Sequence, residues 1–243
     1  MKLILFFLSL LAMLLFATGI FLQLSLSSGI VWGEIEASIY GSQITASGLN
    51  LKCPLMLSPS ESGAVTASIT NSLEEQASPL VTTEISKVAG MQSQSQTLSL
   101  APHETQLLQW SVNPSDVIFG RLILVNVIQA RYSDLEPRHG FCGILVFHLF
   151  NLTGNESLIL IFIGGFVLIF VGGALWLRIH TALDDMDAQT LNACSVLAGV
   201  TTLGLLTALP RWWGLTLFLD AFALIMISVI FTEFVLFPKH NRN

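Results

Sequence analysis

The chain has 243 residues, of which 53% are hydrophobic and only 11% are charged. A soluble domain usually carries about 25% charged residues, so this composition excludes an ordinary soluble protein. The net charge of −6 and the lack of a run of basic residues exclude a nucleic-acid-binding role. The sequence therefore predicts a lipid environment and no nucleic-acid partner.

Long apolar blocks predict four membrane-spanning helices, because about 18 apolar residues suffice to cross a hydrocarbon core roughly 30 Å thick. The third block is the least apolar, since serine, threonine and asparagine residues dilute it. The predicted segments are a signal-anchor helix at 1–27, a linker at 28–47, an exported domain at 48–152, transmembrane helices at 156–178, 189–209 and 214–237, and a tail at 238–243.

Basic residues that flank these blocks predict their orientation. Lys2 precedes the first block, Arg178 follows the second and Lys239 follows the fourth. The positive-inside rule places such residues in the cytoplasm. We therefore expect a multi-pass plasma-membrane protein with both termini in the cytoplasm and residues 25–157 on the extracytoplasmic side.

The first block has two interpretations. A cleaved signal peptide is one, with Ala17-Thr18-Gly19 as the cleavage site. Its apolar region of about 20 residues is longer than the 7–15 typical of a signal peptide, so we favour an uncleaved signal anchor.

Between the first two blocks, short alternating segments separated by turn residues predict an all-β domain. Val65, Ala67 and Ile69 alternate with polar residues, as in a half-buried strand. Seven such segments over about 100 residues predict a sandwich of two sheets. The predicted strands are Leu49–Leu57, Ala64–Asn71, Leu80–Val88, Gln94–Leu100, Glu104–Val112, Arg121–Tyr132 and Gly143–Phe150.

The segment 28–47 fits two patterns. Trp32, Ile35 and Ile39 lie at helical spacing, which would suit a helix on the membrane surface. Ile35, Ala37 and Ile39 also alternate as in a strand. We expect a strand or an irregular linker.

The predicted β domain resembles the immunoglobulin-like modules of bacterial cell-surface and membrane-anchored proteins. The resemblance lies in two runs of sequence, Gly63–Asn71 and Leu98–Thr105. It implies a module that binds, spaces or braces other proteins, and it implies no reaction. Trp110 falls in a late strand and does not match the tryptophan that antibody domains pack against their disulfide.

Two cysteines fall in the predicted exported segment, where disulfides persist. Cys53 begins the β domain and Cys142 lies just before its last predicted strand. First and last strands of a sandwich can be neighbours, so we expect a Cys53–Cys142 disulfide rather than two buried thiols.

Two carboxylates lie inside the fourth predicted span. Asp220 lies near its outer end and Glu233 near its cytoplasmic end. Ionisable groups in membranes are costly and suggest an ion path or a partner subunit. The structural alternative for Glu233 is contact with water at the headgroups. For Asp220 it is a position at interface depth, or a hydrogen bond to Thr216 or to small polar residues of the third span.

Small residues in the second and third spans predict close helix packing, because glycine lets another helix approach. We expect these spans to pack on each other, with contact to a partner subunit as the alternative. The residues are Gly164, Gly165, Gly172, Gly173, Ser195 and Gly199.

The two loops between the last three spans have simple explanations. Arg211, Trp212 and Trp213 form the outer loop and predict an anchor at the membrane interface. Asp184, Asp185 and Asp187 lie in the cytoplasmic loop, where capping of the next helix is simpler than metal binding.

The sequence predicts no catalytic, cofactor or metal site. Its five histidines are scattered, and it contains no P-loop or G-x-S-x-G motif. The expected function is a non-catalytic accessory or scaffolding subunit of a bacterial membrane complex, with the lipid bilayer and other membrane subunits as partners. The alternatives are a free-standing adhesion or sensing protein, and a small transporter or intramembrane enzyme that uses Asp220.

Overall fold

A computed structural model describes residues 2–40, 48–88, 90–183 and 188–236. The chain forms two compact units, a helical unit of Met1–Val31 and Ile159–Asn243 and a β unit of Trp32–Leu158. The elements are α1 (Lys2–Tyr40), β1 (Asn50–Lys52), β2 (Met56–Leu57), β3 (Gly63–Thr70), β4 (Leu80–Lys87), β5 (Gly90–Thr97), β6 (Thr105–Val112), a 3-10 turn (Pro114–Asp116), β7 (Leu122–Gln129), β8 (Arg138–Val146), α2 (Gly154–Leu183), α3 (Ala188–Ala208) and α4 (Trp213–Leu236).

Three of the four described helices are long and apolar enough to cross a membrane. Their apolar stretches are Ile4–Tyr40 in α1, Gly154–Ile179 in α2 and Trp213–Ile230 in α4. The apolar stretch of α3, Asn192–Ala208, is shorter. The helices are therefore compatible with insertion into a membrane, and a fourth span at α3 stays a prediction.

The helical unit is held together by a core to which every helix contributes. Ile20 of α1, Ile169 of α2, Leu197 of α3 and Ala223 of α4 form one buried cluster. Large apolar side chains lie exposed on the outside of the same helices, as in Phe170. An apolar exterior around an apolar core is typical of helices surrounded by lipid.

The β unit consists of two sheets. The smaller has the strand order β1-β3-β6, and the larger has the order β2-β8-β7-β4-β5. All neighbouring strands are antiparallel except β2, which pairs with β8 in parallel. The strands β5 and β6 therefore lie at the edges of their sheets.

The two sheets pack face to face, which makes the unit a sandwich. Val65 and Ile69 of β3 are buried in the same cluster as Ile123 and Val127 of β7. These residues alternate along their strands, so one face of each sheet is buried in the shared core. Gln129 continues this face of β7 and is fully buried.

The structure corrects the prediction for residues 28–40. They continue α1 as helix to Tyr40 rather than forming a strand or an irregular linker. Within the β unit, Ala37 packs against Leu122 and Leu124, and Gly33 lies against Gly143. Gly33 and Ala37 lie one helical turn apart and give this part of the helix a flat face. Burial of that face on β7 and β8 stabilises the helix more than the alternating apolar residues would stabilise a strand.

The predicted strands are confirmed as strands, and several of their bounds differ from the prediction. The first predicted strand is divided at Cys53-Pro54-Leu55 into β1 and β2, which belong to different sheets. Proline cannot donate a ladder hydrogen bond, which favours a break at that point. Both β5 (Gly90–Thr97) and β8 (Arg138–Val146) begin and end earlier than predicted, and β7 ends at Gln129 rather than at Tyr132.

The predicted disulfide between Cys53 and Cys142 is present. It links the segment between β1 and β2 to strand β8, across 89 residues of sequence. A disulfide of this kind is typical of an oxidising, extracytoplasmic compartment.

Candidate functional site

The helical unit contains a row of polar side chains, which we call the bundle polar cluster. Three of the four helices contribute to it. Its members are Gln23 and Ser27 of α1, Thr202 and Thr207 of α3, and Thr216 and Asp220 of α4.

Asp220 accepts a hydrogen bond from α1. The Ser27 hydroxyl lies 3.0 Å from both carboxylate oxygens of Asp220, and Ser27 is fully buried. Among the described side chains, neither Thr216 nor a polar residue of the third span donates to Asp220. No sequence pattern predicts this pairing, since Ser27 and Asp220 are 193 residues apart.

Two further hydrogen bonds complete the cluster. Thr202 donates to the side-chain oxygen of Gln23 over 3.2 Å, and the hydroxyls of Thr207 and Thr216 lie 2.9 Å apart. Both bonds join different helices, so the cluster links α3 to α1 and to α4. Hydrogen bonds between helices in an apolar environment favour one packing arrangement over others.

The geometry of the cluster favours a structural role for Asp220. The other members are amides and hydroxyls, so Asp220 has no second ionisable group within the cluster with which to form an acid–base pair. Gly204 of α3 lies directly beside it, where a Cβ would be 2.9 Å from the nearer carboxylate oxygen. The close backbone and the Ser27 hydroxyl leave little room for a substrate.

The glycines of α2 pack against α1 rather than against α3, which corrects the predicted hairpin packing. A Cβ at Gly172 would lie 2.5 Å from the Phe16 nitrogen and 2.8 Å from the Ala12 oxygen. A Cβ at Gly165 would lie 3.2 Å from the Gln23 side chain. These two glycines therefore permit close contact between α1 and α2.

The other predicted packing residues make little or no close contact with another helix. A Cβ at Gly164 or Gly199 would meet no atom within 4 Å, and at Gly173 it would meet only the Phe16 ring at 3.8 Å. Ser195, one helical turn before Gly199, is also exposed. We call Ser195 and Gly199 the α3 stripe.

The remaining sequence predictions concern the loops and helix ends. Trp212 and Trp213 are exposed beside Arg211 at the turn between α3 and α4, and their role as an interface anchor stays a prediction. Glu233 lies in α4, with its side chain outside the described part. Asp184, Asp185 and Asp187 lie outside the described residues. Among the described residues, no group of three or more His, Cys, Asp or Glu side chains is placed to hold a metal ion.

The sandwich carries a polar groove between the edge strands β5 and β6. The groove has a volume of about 370 Å³. Its lining residues come from β4, β5, β6 and the 3-10 turn, and they are Thr83, Ile85, Lys87, Gln92, Gln94, Gln109, Trp110, Ser111, Asn113 and Asp116.

Strand register explains why polar side chains line this groove. Thr83 pairs with Gln94, and Ile85 pairs with Gln92, so these four side chains share one face of the larger sheet. That face continues the buried side of the sandwich, yet Gln92 and Gln94 are exposed. The smaller sheet ends at β6 and leaves them uncovered.

One end of the groove carries a neutralised pair of charges. Lys87 and Asp116 form a salt bridge, and Asp116 is almost fully buried. The second carboxylate oxygen of Asp116 accepts a hydrogen bond of 2.8 Å from the Asn113 backbone. The groove therefore presents no unbalanced charge from this pair.

On the opposite face of the larger sheet, His139 is buried beside Phe141, with ring centroids 5.7 Å apart. Burial lowers the pKa of His139, and the negative charge of Glu84 opposes this effect in part. The ring is thus more often neutral than an exposed histidine at the same pH.

Comparison with known proteins identifies no family. No family model and no curated protein matches the sequence. Among solved structures, a CARDB domain from Pyrococcus furiosus, in complex with di-metal ions, is similar at 16% identity and a TM-score of 0.32, over 44% of this chain and 95% of that one. Red sea bream transglutaminase is similar at 14% identity and a TM-score of 0.35, over 44% of this chain and 17% of the enzyme.

A cycloisomaltooligosaccharide glucanotransferase from Paenibacillus sp. is similar at 16% identity and a TM-score of 0.35, over 43% of this chain and 15% of the enzyme. The chain thus spans only a small part of the two enzymes that it resembles. These similarities assign no activity to it.

Proposed function

We propose that this protein is a non-catalytic accessory or scaffolding subunit of a bacterial membrane complex. The observation that carries the proposal is the α3 stripe. Ser195 and Gly199 lie one turn apart and both are exposed. They form a small, exposed surface on a helix whose other exposed side chains include the bulkier Val196, Leu203 and Leu206.

The physical argument concerns helix association in lipid. Lipid chains are as apolar as leucine, so helices associate through close packing and hydrogen bonds rather than through the hydrophobic effect. Gly165 and Gly172 already serve this purpose against α1. Gly164 and Gly199 have open space where a Cβ would be, so a helix of another subunit fits against them.

The sandwich supplies the second contact in this proposal. We assign it to the immunoglobulin-like class, whose modules bind or brace other proteins. In this proposal the first part of α1 is an uncleaved signal anchor and α3 is a fourth span. Residues 25–157 lie outside the cytoplasm, and both termini lie inside it.

The test is purification of the tagged full chain from native membranes in mild detergent, with mass spectrometry of the recovered proteins. A fixed stoichiometric set of partners is expected for the natural sequence. The Gly199→Leu variant should be recovered without these partners. It should still fold, because the new side chain enters open space. Ser228→Leu, on the exposed face of α4, is the matched control and should keep these partners.

Recovery of the natural protein alone would contradict the proposal and favour a free-standing surface protein. A transporter or intramembrane enzyme that depends on Asp220 is a separate alternative. Asp220→Asn keeps a side-chain oxygen as acceptor for Ser27 and removes the acid, so full assembly and growth of the host with this variant would remove that alternative.

A further inference from the structure

The polar groove between β5 and β6 has the properties of a ligand site that the accessory role does not use. Its volume of about 370 Å³ lies within the 300–1,000 Å³ typical of small-molecule sites. It opens at the side of the sandwich where the larger sheet extends beyond the smaller one.

Thr83 provides an unused hydrogen-bonding group in this groove. Its side chain is 1% exposed, and its hydroxyl has no hydrogen-bond partner among the described residues. A buried hydroxyl without a partner is unfavourable by about 1–3 kcal/mol in proteins. A ligand hydroxyl placed in the groove would satisfy it.

Two amide side chains lie beside Thr83. Gln92 and Gln94 share its face of the larger sheet and are exposed in the groove. Each amide offers two N–H donors and one carbonyl acceptor. This combination suits hydroxyl groups, which both donate and accept.

Trp110 adds an apolar surface to these polar groups. It is partly exposed in the groove and lies on the same face of β6 as the buried Leu108. An indole held in this way combines an apolar ring face with a polar N–H. Sugar rings present a matching face of C–H groups alongside their hydroxyls.

The paired charges of Lys87 and Asp116 favour an uncharged ligand. Lys87 is paired with Asp116, so the groove offers no free cation from this pair to attract a phosphate or a carboxylate. We infer that the groove binds an uncharged, hydroxyl-rich oligosaccharide through Thr83, Gln92 and Gln94, with a sugar ring against Trp110.

A peptide strand added to the free edge of β6 is the competing occupant. Such a strand would bond through its main chain to β6 and would not depend on the side chains of the facing sheet. The buried hydroxyl of Thr83 and the amides of β5 belong to that facing sheet. They therefore favour the oligosaccharide.

The test uses the full chain in lipid nanodiscs. Binding of maltohexaose, cellohexaose, chitohexaose and mannohexaose is measured by titration calorimetry, with sialyllactose as a charged comparison. We expect at least one uncharged sugar to bind. Thr83→Val and Gln94→Ala should each weaken that binding by about 3- to 10-fold, the range for loss of one hydrogen bond.

Matched controls separate the site from the rest of the sandwich. Thr82→Val lies on the opposite face of β4, and Gln76→Ala lies in an exposed loop, so neither should change sugar affinity. The inference is overturned if none of the four uncharged sugars binds at millimolar concentration, or if sialyllactose alone binds. It is also overturned if sugar binding survives both groove variants unchanged, which would point to the edge of β6. None of these outcomes bears on the α3 stripe, so the proposed accessory role is tested separately.

Discussion

Removal of the Cys53–Cys142 disulfide should cause a large loss of sandwich stability. The bond spans 89 residues of sequence. In the chain-entropy model, closing a loop of that length contributes about 4.6 kcal/mol at 25 °C. The stability of a single domain is typically about 5–15 kcal/mol, so the loss is a large fraction of the total. Cys142 is also fully buried, and its replacement by alanine adds a packing loss.

The assay is proteolysis by trypsin at increasing urea concentration, on the full chain in nanodiscs. The sandwich contains several lysines and arginines, including Lys52, Arg121 and Arg131, so cleavage reports its unfolding. For a slope near 2 kcal/mol per M, the double variant Cys53→Ala/Cys142→Ala should lower the urea midpoint by roughly 2 M. Cys194→Ala, in α3, is the control and should leave the midpoint unchanged.

Two results would refute this reasoning. One is a midpoint shift below about 0.5 M, well short of the entropy estimate. The other is detection of free thiols at Cys53 and Cys142 in natively folded protein that has not been reduced.

Three further variants test the packing and the electrostatics of the two units. Gly172→Leu should lower the melting temperature of the chain in detergent, because its Cβ meets the backbone of α1 and overpacking costs about 1–3 kcal/mol. Asp220→Leu should destabilise the bundle by about 0.5–1.5 kcal/mol, because the Ser27 hydroxyl loses its hydrogen bond to α4 and keeps only the Leu24 carbonyl of its own helix. His139→Phe should flatten the pH dependence of sandwich unfolding between pH 7 and pH 5. Burial lowers the pKa of His139 in the folded state, so the unfolded state binds a proton at this histidine more readily. The free energy of unfolding therefore decreases as the pH falls below the ordinary pKa of histidine.

Each of these variants has a control that isolates the cause. Gly164→Leu faces open space, so an equal loss with this variant would contradict the α1–α2 packing explanation. Asp220→Asn keeps an acceptor, and a loss as large as that of Asp220→Leu would show that the Ser27 hydrogen bond is not the reason. An unchanged pH profile for His139→Phe would assign the acid sensitivity of the sandwich to other groups.

The sequence predicted the positions of the helices and strands better than it predicted which of them pack together. Composition and apolar length identify the helices, and period-two alternation identifies strands such as β3, because burial on one side leaves a direct pattern in the residues. Cys53 and Cys142 were predictable because few cysteines occur in the β segment. The continuation of α1 to Tyr40 was not predicted. Gly33 and Ala37 pack on β7 and β8, and a contact with strands so distant in the sequence leaves no local pattern.

The candidate sites were harder to predict for the same reason. Asp220 stood out as a carboxylate in an apolar helix, but its donor Ser27 lies in another helix and looks like an ordinary serine. The groove was not predicted at all. Its residues are common polar types, and they meet only because β5 and β6 lie at the edges of facing sheets.

The most direct test of the accessory-subunit proposal is photo-crosslinking from the α3 stripe in native membranes. A photoreactive residue is introduced at Gly199 and, in a separate chain, at Ser228 as a lipid-facing comparison. The account predicts a discrete crosslink from position 199 to another polypeptide, and crosslinks only to lipid from position 228. Crosslinks only to lipid from both positions would contradict it.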